Sequence, residues 1–359
     1  MEYYLFTTNE CNLNCAYCSV MIDVKKQGIP LQPQYAITDL NRFIESMQAK
    51  YTDNAIDIIF FGGEPTLNYQ FIEDVISQQK EKFSTYELRY MLHTNGLLLS
   101  DIPDIILSEI SAIMLSINGL EMPAGTARND YLSKVLKSIH SIKTRSNVPI
   151  IGRFTITPQT SLFTQVMSMH SFFDYVYWQI ENCNAFDNPS LFLQTYVKDM
   201  RHLIRIWEYY LNHGIVLKFI PFLMCIFFRD EAHICKNFLC GYEDSMVYIQ
   251  TDGLCYSCAE DFLSKKNIIG HILDSIEFSG YCLADTGCSS CEYISLCHGR
   301  CGRMHREFSD EHIHEYCKMN KVMFSYFSNN HSRIQKICQK HNIEFEQISY
   351  LTNYTEYVP

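Results

Sequence analysis

The sequence predicts an α/β fold of repeated strand–helix units, followed by a smaller cysteine-rich module and a helical tail. Three observations lead there. Short apolar runs alternate with amphipathic ones over the first two-thirds of the chain, the pattern of a parallel sheet with helical crossovers. Cysteines then crowd the stretch from about 233 to 320, where the apolar runs shorten. Beyond it, Val322, Met323, Tyr326, Phe327, Ile334, Ile337 and Cys338 recur at helical spacing, as in a helix packed back on the body. These changes set expected boundaries at 1–232, 233–320 and 321–359.

Strands are expected over 3–7, 56–61, 88–93, 112–117, 149–157 and 175–180, each a short apolar run closed by polar or turn residues. Between them the helical period predicts helices near 36–50, 70–82, 101–109, 130–144, 161–172 and 193–212. A short β piece is expected at 246–250. The run over 219–228 is interrupted by Pro221 and is far shorter than the ~20 apolar residues that cross a bilayer. No repeat of solenoid length and no low-complexity segment is present.

The 359 residues are 47% hydrophobic and 19% charged, which excludes a disordered or fibrous chain and leaves length for a large core. A formal net charge of -11 argues against a nucleic-acid surface, which needs clustered cations. No basic segment leads into an apolar stretch at the N-terminus, so a cytoplasmic location is expected. In a reducing compartment, 16 cysteines point to metal rather than to disulfides.

Cys11, Cys15 and Cys18 stand at CxxxCxxC spacing directly after the first strand, in ECNLNCAYC. Three thiolates on one loop can hold three corners of a 4Fe-4S cube and leave the fourth iron open; a zinc knuckle is the competing reading. The loop resembles the signature loop of the radical SAM superfamily. That resemblance implies a partial (β/α)6 TIM barrel, with S-adenosylmethionine (SAM) on the open iron and Tyr17 near its adenine. It also implies SAM-contacting residues at the carboxyl ends of the strands. Gly62, Gly63, Glu64 and Pro65 follow the second expected strand and look like the family motif that binds the methionyl amino group. Thr94 and Asn95 end the third strand, and Ser116 and Asn118 the fourth, as further candidate contacts. Relatives usually carry Asp where Asn118 stands. Arg153, on the fifth strand, is a candidate partner for the methionyl carboxylate.

The second cysteine set is Cys240, Cys258, then Cys288, Cys291, Cys297 and Cys301 as CxxCxxxxxCxxxC, then Cys317. Its odd count and spacing suit paired zinc sites poorly. It resembles the SPASM domain, the C-terminal extension of many radical SAM enzymes that act on peptides. The resemblance implies two auxiliary 4Fe-4S clusters, one on Cys240, Cys258 and Cys301, the other on Cys288, Cys291, Cys297 and Cys317. Cys235 is the expected fourth ligand of the first, with Cys255 as substitute; an open iron ready to bind a substrate thiolate is the alternative. Cys183, Cys225, Cys282 and Cys338 are expected to be buried small hydrophobes. Clusters spanning 235–317 would cross-link a segment without a long apolar core, which is expected to be largely unfolded without iron.

The chemistry implied is reductive cleavage of SAM to a 5'-deoxyadenosyl radical, removal of a substrate hydrogen atom, and a net two-electron oxidation. The expected product is a thioether or carbon–carbon cross-link in a ribosomal peptide. In the similar anaerobic sulfatase-maturing enzymes, an Asp directly follows the cysteine matching Cys258 and acts as base. Here Ala259 stands in its place; Glu260, Asp261 and Glu181 are the candidate bases. Formylglycine formation, dehydrogenation of a small molecule, and a multi-cluster electron carrier without catalysis are the alternatives. Expected partners are a peptide or protein substrate and an electron donor such as flavodoxin or ferredoxin; since the cysteine loop begins at residue 11, a leader is expected either to meet the barrel and auxiliary module directly or to be presented by a separate leader-binding protein. No nucleic acid and no membrane are expected.

Overall fold

A computed structural model describes residues 1–15, 18, 27–50, 54–117, 128–182, 188–227, 238, 240–262, 264–344 and 358–359. Tyr17, Asn118, Cys183 and Cys235 lie outside the described residues. By contact density the chain divides into one unit of residues 1–116, 121–150 and 241–281, and a second of residues 117–120, 151–240 and 282–359.

The first unit is built around β1 (Glu2–Thr8), whose run YYLFTT is buried at every position. A strand covered on both faces reads as continuous rather than alternating hydrophobicity, which is why its sequence is greasy throughout. Its two faces are nonetheless distinct. Tyr3 packs its ring edge-on against Phe43 at 6.3 Å, while Tyr4 stacks on Tyr248 at 4.2 Å. Phe43 belongs to α1 (Ile37–Gln48), which buries Leu40, Phe43, Ile44 and Met47 at helical spacing.

The chain then runs through β2 (Ala55–Gly62), α2 (Tyr69–Lys82), β3 (Glu87–Thr94), α3 (Asp104–Leu107), β4 (Ile110–Ser116) and α4 (Arg128–Arg145). Strands β1 to β4 are parallel neighbours in that order. One buried charge interrupts β2. Asp57 is 3% exposed, and Arg89, its register partner on β3, donates to it from Nε at 2.6 Å and from Nη2 at 2.7 Å. The bidentate fork replaces the water that both ions lose.

On the other side of β1 lie β7 (Met246–Ile249), β8 (Leu254–Tyr256) and β9 (Ile268–His271). Strand β7 runs parallel to β1, with Glu2 opposite Met246 and Leu5 opposite Ile249; β8 and β9 continue antiparallel. The expected β piece at 246–250 thus extends the sheet of the first strands, and two further strands follow that the sequence did not suggest.

In the second unit, β5 (Ile150–Ile156) pairs in parallel with β6 (Tyr175–Ile180), with α5 (Leu162–Met169) between them. The strand–helix alternation therefore has six repeats, as expected. Helix α6 (Pro189–Asn212) buries Phe192, Tyr196, Met200, Leu203, Trp207 and Leu211 along one stripe. The apolar run at 219–228 forms α7 (Ile220–Phe227), with Pro221 in its first turn where no amide hydrogen is needed. Short helices α8 (Ile294–Cys297) and α9 (Gly302–Glu307) lead to α10 (Asp310–Lys340). Trp207 meets Phe327 of α10 at 5.4 Å, and Phe222 meets it at 5.1 Å. The tail helix begins well before residue 321, capped by the Ser309 hydroxyl, so Cys317 stands on a helix rather than in a loop.

Candidate cluster sites

The cysteine loop is anchored before its first thiol. Asn9, fully buried, donates from Nδ2 to Pro30 O at 2.8 Å, Gln250 Oε1 at 2.8 Å and Thr251 Oγ1 at 2.7 Å. The turn after β7 therefore helps hold the exit of β1. On the other side, Gly63 N donates to Thr8 O at 2.9 Å and Glu64 N to Glu10 O at 2.7 Å. The approach explains the two glycines. A Cβ at Gly62 would stand 2.3 Å from Thr8 O, and one at Gly63 2.1 Å from Glu10 O. Gly62 also has φ +130°, which L side chains rarely adopt. In this structure the pair admits the backbone that leads into the cysteines.

Glu64 is 1% exposed. Its Oε1 accepts from Thr66 N at 3.2 Å, Thr66 Oγ1 at 2.5 Å and Thr94 Oγ1 at 2.6 Å; its Oε2 accepts from Asn95 N at 2.8 Å. Each oxygen of an ionised carboxylate offers about two lone-pair sites; Oε1 shares its own among three donors, whereas Oε2 takes one donor and keeps a second site. Burial pushes the Glu64 carboxyl above its ordinary range, against those four donors. Asn95 then reaches back to the cysteine loop, donating from Nδ2 to Asn12 Oδ1 at 2.7 Å. The ends of β2 and β3 and the loop after β1 thus form one hydrogen-bonded assembly.

Sequence reasoning named Glu64, Thr94 and Asn95 but missed Asn12, Thr66 and Tyr131. Tyr131, on α4 and 2% exposed, donates to Asn95 O at 3.5 Å; burial raises its phenol, and Cys15 and Glu64 add to the rise. Thr66 could have been read from its place two residues after an acid that caps a turn. Nothing local marks Tyr131. Pro65 is buried and begins the short turn over Pro65–Asn68; Ser116 ends β4, half-buried.

The thiol of Cys11 is pushed up to about 11 by burial, by Glu64 and by Cys18 and Cys15, against a hydrogen bond from Leu13 N. Three sulfur donors and a carboxylate that disfavour one another's charge form a set that a cationic centre would neutralise. The first site therefore fits an iron–sulfur cluster. Among the described residues no three His, Cys, Asp or Glu side chains close around a single metal ion. The ligands of a four-iron cube stand around a volume rather than a point.

The second unit contains a cavity lined by Cys288, Cys291, Cys297, Cys301 and Cys317. Cys288 and Cys291 sit on a short turn, Cys297 ends α8, and Cys317 projects from α10. The Cys297 thiol is pushed up to about 12 by burial and then by Cys317, Cys288 and Cys291. Burial and the neighbouring thiols also raise Cys317. Cys288, Cys291, Cys297 and Cys317 are the four that the resemblance assigns to one cluster, and as thiols lining one cavity they fit such a group; Cys301, assigned to the other cluster, lines it too. His305 Nε2 lies 3.5 Å from Cys288 Sγ and 3.0 Å from Gly299 O. Of the other expected set, Cys258 belongs to the first unit and Cys240 and Cys301 to the second.

Cys255 is fully buried in β8, and its Sγ lies 3.8 Å from Gly253 O. Cys225 and Cys338 are buried, whereas Cys282 is half-exposed. Arg153 donates to Gln179 on β6. Among the candidate bases, Asp261 is 1% exposed and accepts from Asn267 Nδ2 at 3.3 Å. Glu260 is half-exposed beside it. Glu181, half-buried just past β6, is raised by burial. No helix among the described residues is long and apolar enough to cross a membrane.

A family model, the Radical SAM superfamily, matches residues 5–148. The chain is 23% identical over 333 residues to the radical SAM cyclopropyl synthase TigE of Paramaledivibacter caminithermalis, covering 83% of this chain and 66% of TigE. It is 32% identical over 126 residues to the uncharacterized protein MJ0907 of Methanocaldococcus jannaschii, covering 33% of this chain and 38% of that protein. The chain thus spans just under two-thirds of TigE's length and much less of MJ0907's. Among solved structures, anSMEcpe with bound AdoMet and the Cp18Cys peptide aligns with TM-score 0.73 at 19% identity, over 96% of this chain and 99% of that one. A histidine-tagged form of anSMEcpe with bound AdoMet aligns at 0.71 and 17%, over 99% of both chains. At these identities the likeness shows a shared fold, and it bears out the α/β partial barrel. With the cysteine loop, the glycine pair and Glu64 all inside the matched span, the chain carries a radical SAM superfamily domain.

Proposed function

We propose that the chain is a radical SAM enzyme that oxidatively modifies a peptide, forming a thioether or carbon–carbon cross-link. The observation that carries the reading is the assembly Asn12–Asn95–Glu64, which ties the three-cysteine loop to a buried carboxylate with one acceptor site unused. When bound, a 4Fe-4S cluster on Cys11, Cys15 and Cys18 with SAM would supply an electron and a deoxyadenosyl group able to take one hydrogen atom. The chain's own residues hold and orient. Asn9, Gly63 and Glu10 fix the loop entrance, Thr66 and Thr94 aim Glu64, and the free site on its Oε2 can accept from an ammonium group.

Two auxiliary clusters on the later cysteines would accept the electron left by substrate oxidation; the cysteine-lined cavity of the second unit supports the one on Cys288, Cys291, Cys297 and Cys317. A peptide substrate is supported by anSMEcpe, which is solved with a peptide. Formylglycine formation has less support here, because Ala259 cannot act as base and buried Asp261 is engaged by Asn267. A ferredoxin- or flavodoxin-type donor and a separate leader-binding protein complete the proposed partners.

The test is anaerobic reconstitution with iron and sulfide, reduction, addition of SAM, and assay of 5'-deoxyadenosine. About twelve irons per chain with release of deoxyadenosine, lost in Cys15→Ala, is the expected result. A fully loaded, reduced protein that does not bind SAM would leave the electron-carrier reading in its place.

A further inference from the structure

The turn between Cys297 and Cys301 is HGR, and all three residues take left-handed φ: His298 at 45°, Gly299 at 75° and Arg300 at 56°. Gly299 takes a φ that L side chains rarely adopt, and a Cβ there would stand 2.2 Å from a Leu283 methyl, which would have to shift. Neither His298 nor Arg300 gains from this conformation locally, so tertiary contacts must hold it. Arg300 supplies them. Its Nε donates to Pro359 O at 2.7 Å, while Nη1 and Nη2 donate to Asn182 Oδ1 at 3.2 and 3.3 Å, and Nη2 also to Ile180 O at 3.5 Å. The guanidinium lies over the Tyr316 ring, 4.5 Å from its centroid, and the Tyr316 hydroxyl donates to Glu181 O at 2.6 Å. Buried Asn320 donates to the same Pro359 oxygen at 2.6 Å.

Arg300, Tyr316 and Asn320 all line the cavity that the cysteines line. We infer that Arg300 is a positioning residue of the four-cysteine site, carrying positive charge to a cluster held by Cys288, Cys291, Cys297 and Cys317 and so raising its reduction potential. The inference rests on the auxiliary-cluster reading of that site. Reduction adds one electron to such a cluster and makes it one unit more negative, so a nearby cation favours the reduced form. The same side chain ties the site to residues 180–182, at the end of β6, where Glu181 stands.

The experiment is a dithionite titration of the full reconstituted chain, followed by electron paramagnetic resonance, with iron counted in each sample. Arg300→Gln is expected to keep its iron and to shift one auxiliary signal negative. At a fixed potential its reduced-to-oxidised ratio falls about tenfold, equal to about 59 mV for one electron. Arg300→Lys, which keeps the charge without the fork, is expected to stay near the wild-type midpoint. An iron-replete Arg300→Gln protein with an unshifted midpoint overturns the inference. Should Arg300→Gln lose iron, Arg300→Lys decides: iron and midpoint kept support the charge, and iron lost or a midpoint shifted overturns it. Cys297→Ala separates the underlying reading, which fails if that variant has the wild-type iron content and signals.

Discussion

Gly63 shows how a residue chosen from a motif acquires its physical reason only from its surroundings. A glycine pair before an acid suggests room for a ligand, but the atom that excludes a side chain at Gly63 is Glu10 O, one residue before Cys11. Gly63→Ala must therefore push the cysteine loop away from the end of β2, at the cost of about 1–3 kcal/mol typical of overpacking. The expected outcome is a folded protein that loses about four irons per chain, the content of one cube, while the auxiliary signals persist. Iron analysis with electron paramagnetic resonance checks it, and full iron content would show that the loop adjusts. Glu64 illustrates the converse. Its acid character was readable, whereas its donors from Thr66, Thr94 and the amide of Asn95 come from two strand ends and could not be read locally.

Between elements, the register of β2 against β3 places Asp57 beside Arg89, and the burial of that pair makes it unforgiving. Removing buried Asp57 leaves half-buried Arg89 without its fork and with Glu87 Oε1 3.9 Å away, which costs up to about 3–5 kcal/mol. Asp57→Ala is expected to lower the urea midpoint of the sheet's far-UV circular dichroism by that equivalent with an unchanged slope; a loss below about 1 kcal/mol would place the pair among exposed ones. The β elements of the barrel were legible nearly to their ends, because strands buried on both faces are long apolar runs. The sequence was less informative about β8 and β9. Leu254–Tyr256 is too short for a period, and Ile268–His271 is half-exposed throughout. They exist because β7 returns to the free edge of β1 and extends the sheet.

At the scale of the whole molecule, the two units rest on different forces. The first buries a sheet through apolar strands, and the second joins α6, α7 and α10 through aromatic contacts but leaves residues 282–301 with short turns and little core. Iron removal by a chelator is accordingly expected to abolish hydrogen-exchange protection in 282–317 while β1 to β3 stay protected. Equal protection with and without iron would show that side-chain packing alone holds that segment. What the sequence determined by itself is whatever depends on neighbours in the chain: the strand–helix alternation, the cysteine spacings and the helical tail. Only the tertiary structure decided that Asn12 and Tyr131 meet Asn95, that β7 lies beside β1, and that Arg300 gathers Asn182, Tyr316 and Pro359 at one cavity. Periodicity and turn chemistry act over a few residues, whereas these partners are brought together by parallel strand pairing and helix packing across long stretches of chain.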